Sequence, residues 1–366
     1  MKVLFQSRKT LFSVPGGDTT QILKTKEYLE KLGVEVEISL ELQPDLSGYD
    51  LVHVFNLMRP QELFLQVENA HKQHKPIALS TIYGPYEEYE KKARGGILQK
   101  MNQFLGINQI EYLKVLARAI LNREFNKGTL NYLLRGHTNL QKKIAKKVGV
   151  FLPNSYSEML RVLKDMDLKD ANYRIVPNAV DIEKFNPEKT DIDEKYLKYK
   201  DCILCVARIE GRKNQLNVVR AAKELPYKFV FIGKPGPNFI NYFEQCKKEG
   251  EKNCVFLGQI PHEDLPQFYK LCKVHILPSW METPGLSSLE AAVMNSNIIA
   301  TKKGDPYDYF GDYAWYCEPD DINSIKKAIV EAYNAPIKPD LKNKIYKEFK
   351  WEDTAIATLD GYKSII

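Results

Sequence analysis

Short apolar runs alternate with amphipathic stretches of helical length, twice over along the chain, and this rhythm limits the possible folds more than any other feature. In the first half KVLFQ, GVEVEISL, YDLVHVFN and PIALSTIY read as strands, with helices over Thr19–Leu32 and Gln61–His74. After an interruption the pattern resumes at VGVFLPNS and YRIVPNAVD. The second half repeats it with CILCVARI, KFVFIGK, CVFLGQI, KVHILPS and NIIATKK as strands. Its helices are expected over Asn214–Glu224, near Phe239–Glu249, near His262–Leu271, and over Leu286–Met294. Strands separated by single helices form βαβ units and pair in parallel. The expected fold is therefore α/β, with two Rossmann-like domains, which suits 366 residues at roughly 100–200 per domain. The expected boundaries are 1–175, with a basic helical insertion over about 86–147, then 176–345, then a terminal helix in 346–366. VPNAVDIEKFNPEKTD, with two prolines and few apolar residues after Val180, reads as the linker. Loops at the carboxyl ends of both sheets would then line a cleft between the domains.

Charge is distributed unevenly over this frame. The net charge is only +6, from 53 Lys and Arg against 47 Asp and Glu, which by itself does not argue for a nucleic-acid binder. From Glu90 to Lys147, however, thirteen basic residues face three acidic ones, so this segment carries +10 and the rest of the chain −4. A local basic field faces a polyanion or an anionic membrane, or else is a solvated helical surface. Within it, INQIEYLKVLARAILNREF sets Glu111, Lys114, Arg118 and Asn122 on one narrow face, with apolar residues over most of the remainder. Such a helix either lies on a membrane or packs against its own domain. The flanking KKARGG and QKKIAKK lead us to expect contact of 91–147 with an anionic membrane surface. The opening MKVLFQSRKTLF lacks the apolar region of a signal peptide, and no segment approaches the roughly 20 apolar residues of a membrane helix. A soluble or peripheral cytoplasmic protein is expected. Cys202 and Cys205 are poorly placed to share a metal, because residues three apart on a strand face opposite ways; all six cysteines read as reduced thiols, most of them buried.

The most informative stretch is VHILPSWMETPGLSSLEAAVM, residues 274–294. A strand ends at Pro278, Glu282 sits in a loop, and a helix is expected to start at Thr283–Pro284 and to carry Glu290 on its second turn. The amide groups of Gly285, Leu286 and Ser287 would form a phosphate-binding helix terminus. Glu282 can accept bonds from sugar hydroxyls, and Glu290 from those of a ribose; otherwise they are a solvated loop Glu and a helix-face Glu. In CVARIEGRKNQ, Arg208 and Lys213 follow a strand and can neutralise a diphosphate leaving group without a metal; otherwise, like Arg212, they are loop charges. PGGDTTQ places Gly16 and Gly17 before the first helix, with Asp18 as cap and Gln21 completing a capping box. Neither this stretch nor FIGKPGPN, which contains Gly233, is a dinucleotide fingerprint or a P-loop. No Ser/His/Asp or Cys/His set is evident.

Together these segments resemble glycosyltransferase family 4, a group of retaining, nucleotide-sugar-dependent enzymes with the GT-B fold. The resemblance runs through GVFLPNSYSE, RIVPNAVDIEKFNP, VARIEGRKNQ, FIGKPGPN, VFLGQIPHEDLPQFYKLCKVHILPS, METPGLSSLEAAVMNSNIIAT and WEDTAIATLDGY, covering nearly all of Val150–Tyr362 and, more loosely, the N-terminal Gly loop. It implies a nucleotide-sugar donor in the second domain, an acceptor in the first, and a last helix crossing back to the first domain. Arg208 and Lys213 match the family's diphosphate clamp, Glu282 its sugar-contacting Glu, and Glu290 its ribose-binding Glu. Gly285, Leu286 and Ser287 match the amides near the sugar and diphosphate, flanked by Thr283 and Pro284; Gly233 joins them on the donor side, and Gly16–Gly17 match the first-domain Gly loop. No cofactor and no divalent metal is implied. The chain departs from the pattern at LSTIYG, where Tyr83 stands in place of a His that faces the donor sugar in many members; a Tyr is not cationic at pH 7, so that role does not transfer. Tyr83 and Asn154 are kept as residues of the acceptor or sugar side. The implied reaction moves a sugar from a UDP- or GDP-sugar to a hydroxyl acceptor, a lipid-linked or surface-polysaccharide precursor at the inner membrane face. A phosphorylase or nucleotide-sugar epimerase on the same fold, or a silent carbohydrate-binding protein, are the alternatives.

Overall fold

The computed structural model describes residues 1–84, 86–92, 131–134, 136–236 and 238–366. The chain divides into two compact units, one of Met1–Pro85, Lys100–Asn178 and Trp351–Ile366, the other of Tyr86–Gln99 and Ala179–Lys350. The amphipathic helix expected at INQIEYLKVLARAILNREF lies outside the described residues.

The first unit begins with β1 (Lys2–Gln6), α1 (Gly17–Lys31), β2 (Glu35–Ser39), β3 (Leu51–Phe55), α2 (Pro60–Lys72) and β4 (Ile77–Ser80). The next helix, α3 (Glu87–Lys92), groups with the second unit; α4 (His137–Ala145), β5 (Val150–Phe151) and α5 (Tyr156–Met166) then complete the first. The strands pair in parallel in the order β2-β1-β3-β4-β5. Period-two geometry explains the burial of both faces: Val3 and Phe5 of β1 enter one core layer and Leu4 the other. YRIVPNAVD, expected to continue the sheet, forms no strand and contributes only isolated bridges, Tyr173 with Phe151 and Val180 with Lys350; its Pro177 has no N–H to give to a ladder. The C-terminal helix Trp351–Lys363 belongs to this unit. Its Tyr362 hydroxyl lies 2.6 Å from Nδ1 of His53, and the Ser80 hydroxyl lies 2.9 Å from Nε2. Of the basic segment, α4 packs Leu140, Ile144 and Ala145 into this core and leaves Lys143 and Lys146 exposed.

The second unit runs through β6 (Cys202–Val206), α6 (Gln215–Ala222), β7 (Phe229–Ile232), α7 (Ile240–Glu249), β8 (Cys254–Phe256), α8 (Leu265–Leu271), β9 (Cys272–Ile276), α9 (Leu286–Val293) and β10 (Asn297–Ala300). It ends with α10 (Pro306–Phe310), β11 (Trp315–Tyr316), α11 (Ile322–Asn334) and α12 (Pro339–Glu348). The parallel order is β11-β10-β9-β6-β7-β8. Cys202 and Leu204 face one core layer, Ile203 and Cys205 the other, so the two cysteines lie on opposite sides of the sheet. All six cysteines are free thiols, five buried and Cys254 half-buried, and burial pushes Cys205 and Cys272 up to about 12. Helices α10, α11 and α12 were not foreseen from the sequence, although α11 has a clear start: the Asp321 carboxylate accepts from the amides of Asn323 and Ser324. Successive strands step outward in opposite directions from β6 and β9, which makes their carboxyl ends a topological switch point, the usual ligand position in an open α/β sheet. Among the described residues no helix is long and apolar enough to cross a membrane.

Candidate active site

Both loops at this switch point carry residues singled out from the sequence. Lys213 ends the turn after β6 and Glu282 lies in the loop after β9; the ammonium donates to the Glu282 carboxylate over 2.5 Å. Their side chains are only 16% and 14% exposed, so the attraction is weakly screened. The Ser279 hydroxyl donates to the same carboxylate oxygen at 2.9 Å. Burial alone would push the Glu282 carboxyl up, but Lys213, Ser279 and the nearby Arg212 outweigh it and hold it below its ordinary value. The backbone of Glu282 is pinned as well. Its amide donates to the Lys303 carbonyl at 3.1 Å and its carbonyl accepts from the Asp305 amide at 2.9 Å. Gly304, between those two residues, has φ +98°, and a Cβ there would fall 2.1 Å from the Glu282 carbonyl oxygen. Sequence reading passed over Gly304 because nothing local marks a loop that must nest against another 22 residues away.

The helix after Glu282 starts at Leu286, as the run Leu286–Met294 predicts, and not at Thr283–Pro284. Thr283 and Pro284 are not cap and first turn: their peptide bond is cis, and Gly285, at φ +90°, caps α9, whose first residue is Leu286. The amides of Gly285, Leu286 and Ser287 have no acceptor among the described residues, whereas that of Ser288 donates to Gly285 at 2.9 Å. Three open donors at a helix start form a seat for an anion. Glu290, one turn on, accepts from the Tyr269 hydroxyl at 2.8 Å, and its other oxygen lies 3.8 Å from Nε2 of His262. Tyr269 is fully buried; burial and the Glu290 charge both push its phenol well up, so it stays a donor. The sequence offered no signal for this bond, which spans two helices.

Arg208 follows β6 and is half-buried, its carbonyl held by the Gln215 amide at 3.0 Å. Gly233 follows β7, with its amide donating to the Gly258 carbonyl at 2.7 Å, and a Cβ there would lie 2.0 Å from the Ala207 carbonyl oxygen. Gly233 therefore lets two loops nest beside Arg208.

In the first unit Gly16 caps α1, and the Thr19 hydroxyl accepts from its amide at 3.1 Å. The expected cap, Asp18, instead holds the buried Arg8 guanidinium at 2.7 and 3.0 Å, and Arg8 also donates to the Thr10 and Val14 carbonyls at 2.6 and 2.9 Å. Arg8 thus folds the loop that carries Gly16 and Gly17, a role invisible in the sequence. Burial would raise the Asp18 carboxyl, but the guanidinium holds it down. Gln21, expected in a capping box, donates instead to Asn154 at 2.8 Å. The polar groups of Tyr83 and Asn154 are engaged within the unit. The Tyr83 hydroxyl donates to Asp165 at 2.8 Å, and Asn154 donates to Glu158 at 2.9 Å while accepting from Asn178 at 3.0 Å. Glu158 is fully buried, accepting also from Thr81 and from the Tyr83 amide at 2.6 Å; burial wins over these bonds and raises its carboxyl.

The two open parallel sheets make two Rossmann-like units, and the fold is that of GT-B proteins. Residues 187–350, most of the second unit, match the family described as Glycosyl transferases group 1. The chain is 26% identical over 389 residues to an alpha-monoglucosyldiacylglycerol synthase of Streptococcus pneumoniae, covering 94% of this chain and 81% of that one. It is 23% identical over 225 residues to the O-antigen chain mannosyltransferase B of Escherichia coli, covering 57% of this chain and 58% of that one. It thus spans somewhat over half the length of the first relatives it matches. Among solved structures, Anabaena HepE in complex with UDP and glucose superposes with a TM-score of 0.68 at 15% identity, over 100% of both chains.

Proposed function

We propose that the protein is a retaining glycosyltransferase of the family 4 kind, moving a sugar from a UDP- or GDP-sugar to a hydroxyl of a lipid-linked or surface-polysaccharide precursor. The observation that carries this reading is the Lys213–Glu282 pair at the β6/β9 switch point, beside the open amides of Gly285, Leu286 and Ser287. The donor diphosphate takes the helix start, with Arg208 and Lys213 neutralising the charge that grows as the sugar–phosphate bond lengthens. Glu282, kept ionised by Lys213, accepts from sugar hydroxyls and fixes the sugar over the leaving group. Glu290, presented by Tyr269, accepts from the ribose. The acceptor hydroxyl attacks the face from which the diphosphate departs, and a phosphate oxygen takes its proton. Arg208 and Lys213 supply the positive charge, so the reaction proceeds without a cofactor or divalent cation. The acceptor belongs to the first unit, and exposed lysines of the basic segment attract an anionic membrane at the cytoplasmic face. The relatives named for an O-antigen mannosyltransferase and a glycolipid synthase, and HepE with UDP and glucose, support these choices.

The test is donor hydrolysis by the purified protein across UDP- and GDP-sugars, with and without EDTA. One donor should turn over slowly, unaffected by EDTA, and Lys213→Ala should cut the rate at least about a hundredfold. Failure to bind any nucleotide sugar would overturn the reading.

A further inference from the structure

On the way from β4 into the basic segment the chain leaves the first unit, and from Tyr86 it groups with the second. Tyr86–Lys92 lies on the second unit, and it touches all three of the loops that build the Lys213–Glu282 pair. On the loop after β6, the Arg212 guanidinium donates to the Tyr86 hydroxyl at 2.7 Å and sits 5.2 Å from the centre of its ring. Gly211, in the same turn, is so close to the Tyr89 hydroxyl that a Cβ there would lie 2.5 Å from it. On the loop after β9, the Tyr89 ring lies 6.4 Å from that of buried Trp280. On the loop after β10, the Lys303 ammonium pairs with Glu88 at 3.0 Å, and the carbonyl of Lys303 is the acceptor for the Glu282 amide. Lys92 anchors the far end, bonding Glu88 at 2.9 Å and Asp320 at 2.7 Å.

Arg212 shows why these contacts bear on the site. Its Nε pairs with buried Glu210, its carbonyl accepts from the Trp280 amide at 2.9 Å, and the next residue is Lys213. Arg212 therefore bridges the turn that holds Lys213 and the loop that holds Glu282, and Tyr86 fixes the other end of its guanidinium. A planar fork held at both ends has little rotamer freedom left.

We infer that Tyr86 and Glu88 are positioning residues for the donor site: a strap from the first half of the sequence holds the three loops so that Lys213 and Glu282 meet. Through it the segment entering the basic region acts on bond breaking at the donor without touching the donor. This rests on the donor reading of the Lys213–Glu282 pair. The strap acts on the sugar end of the site, so its loss lowers turnover more than it weakens binding of the bare nucleotide.

The experiment compares full-length wild type, Tyr86→Phe, Glu88→Gln and Lys213→Ala. Readouts are kcat and KM for donor hydrolysis, calorimetric affinity for UDP and GDP, melting temperature, and hydrogen exchange of the Glu282 and Asp305 amides in ligand-free protein. Tyr86→Phe and Glu88→Gln should each lower kcat about fivefold, the weight of one partly screened hydrogen bond. Nucleotide affinity and melting temperature should stay unchanged, and both amides should exchange faster. Unchanged kcat and exchange in the two strap variants, with turnover lost in Lys213→Ala, would overturn the strap and leave the donor reading intact. Unchanged turnover in Lys213→Ala as well would overturn both. A fall in melting temperature that accounts for the lost activity would reduce the strap to a stabilising contact and refute the inference.

Discussion

Replacing Gly304 by Ala tests whether the Glu282 loop is held where the geometry places it. A Cβ at this position falls 2.1 Å from the Glu282 carbonyl oxygen and 2.9 Å from Met281 Sδ, against the 3.4–4 Å of ordinary contact, so the loops must separate by more than 1 Å. Separation breaks the two backbone bonds that join them, at about 1 kcal/mol each. The left-handed φ of +98° adds about 1–2 kcal/mol for any residue with a Cβ. The variant should lose about 3–4 kcal/mol in urea unfolding of the second unit, a large share of the roughly 5–15 kcal/mol that holds a domain together. Displacing Glu282 by about 1 Å should also lower donor turnover about a hundredfold even where the protein stays folded. Gly48→Ala is the control, since nothing lies within 4 Å of a Cβ there and both readouts should match wild type. Gly304→Ala with wild-type stability and turnover would refute the argument that these loops nest through a glycine.

Two buried histidines set an acid response. Burial holds His53, in the first unit, and His275, in the second, down to about 3, so each stays neutral when folded and takes up a proton on unfolding below its ordinary pKa near 6.5. The unfolded state then binds more protons, so stability falls as pH drops from 6.5 toward 3, by up to about 1.4 kcal/mol per pH unit for each histidine. Urea titrations at pH 7, 6 and 5 should show this slope, and His53→Gln and His275→Gln should each flatten it in their own unit; an unchanged slope would remove the histidines as its cause. Tyr269→Phe deletes the hydroxyl that holds Glu290 at 2.8 Å while keeping the ring. It should raise KM for the donor about fivefold with little change in kcat, and lose less affinity for a donor whose ribose lacks its hydroxyls.

Much of this molecule is written locally. The apolar runs at CILCV and KVLFQ, each four to five residues long and followed by a helical pattern, become β6 and β1 of two parallel sheets because strand and helix periods are properties of neighbouring residues. The positions of Arg208, Lys213 and Glu282 after strands could be read in the same way, since loops at carboxyl strand ends are where α/β proteins bind ligands. Misreadings arose where a distant partner overrode a local rule. Asp18 matches a helix cap in sequence, yet Arg8 takes its carboxylate and Gly16 caps instead. Thr283–Pro284 matches a helix start, but the chain turns at Gly285 first.

By itself the sequence determined the α/β class, the two sheets and the loops that carry Lys213 and Glu282, because alternation of apolar and polar residues acts over a few positions. Only the tertiary structure decided which of those loops meet. Lys213 and Glu282 are 69 residues apart and become partners because β6 and β9 are neighbours at the switch point, and Gly304 is required because a third loop closes on the second. The assignment of Tyr86–Lys92 to the second unit belongs to the same level: its contacts with Arg212, Trp280 and Lys303 depend on burial and charge supplied by residues 120 or more positions away, which no local pattern encodes.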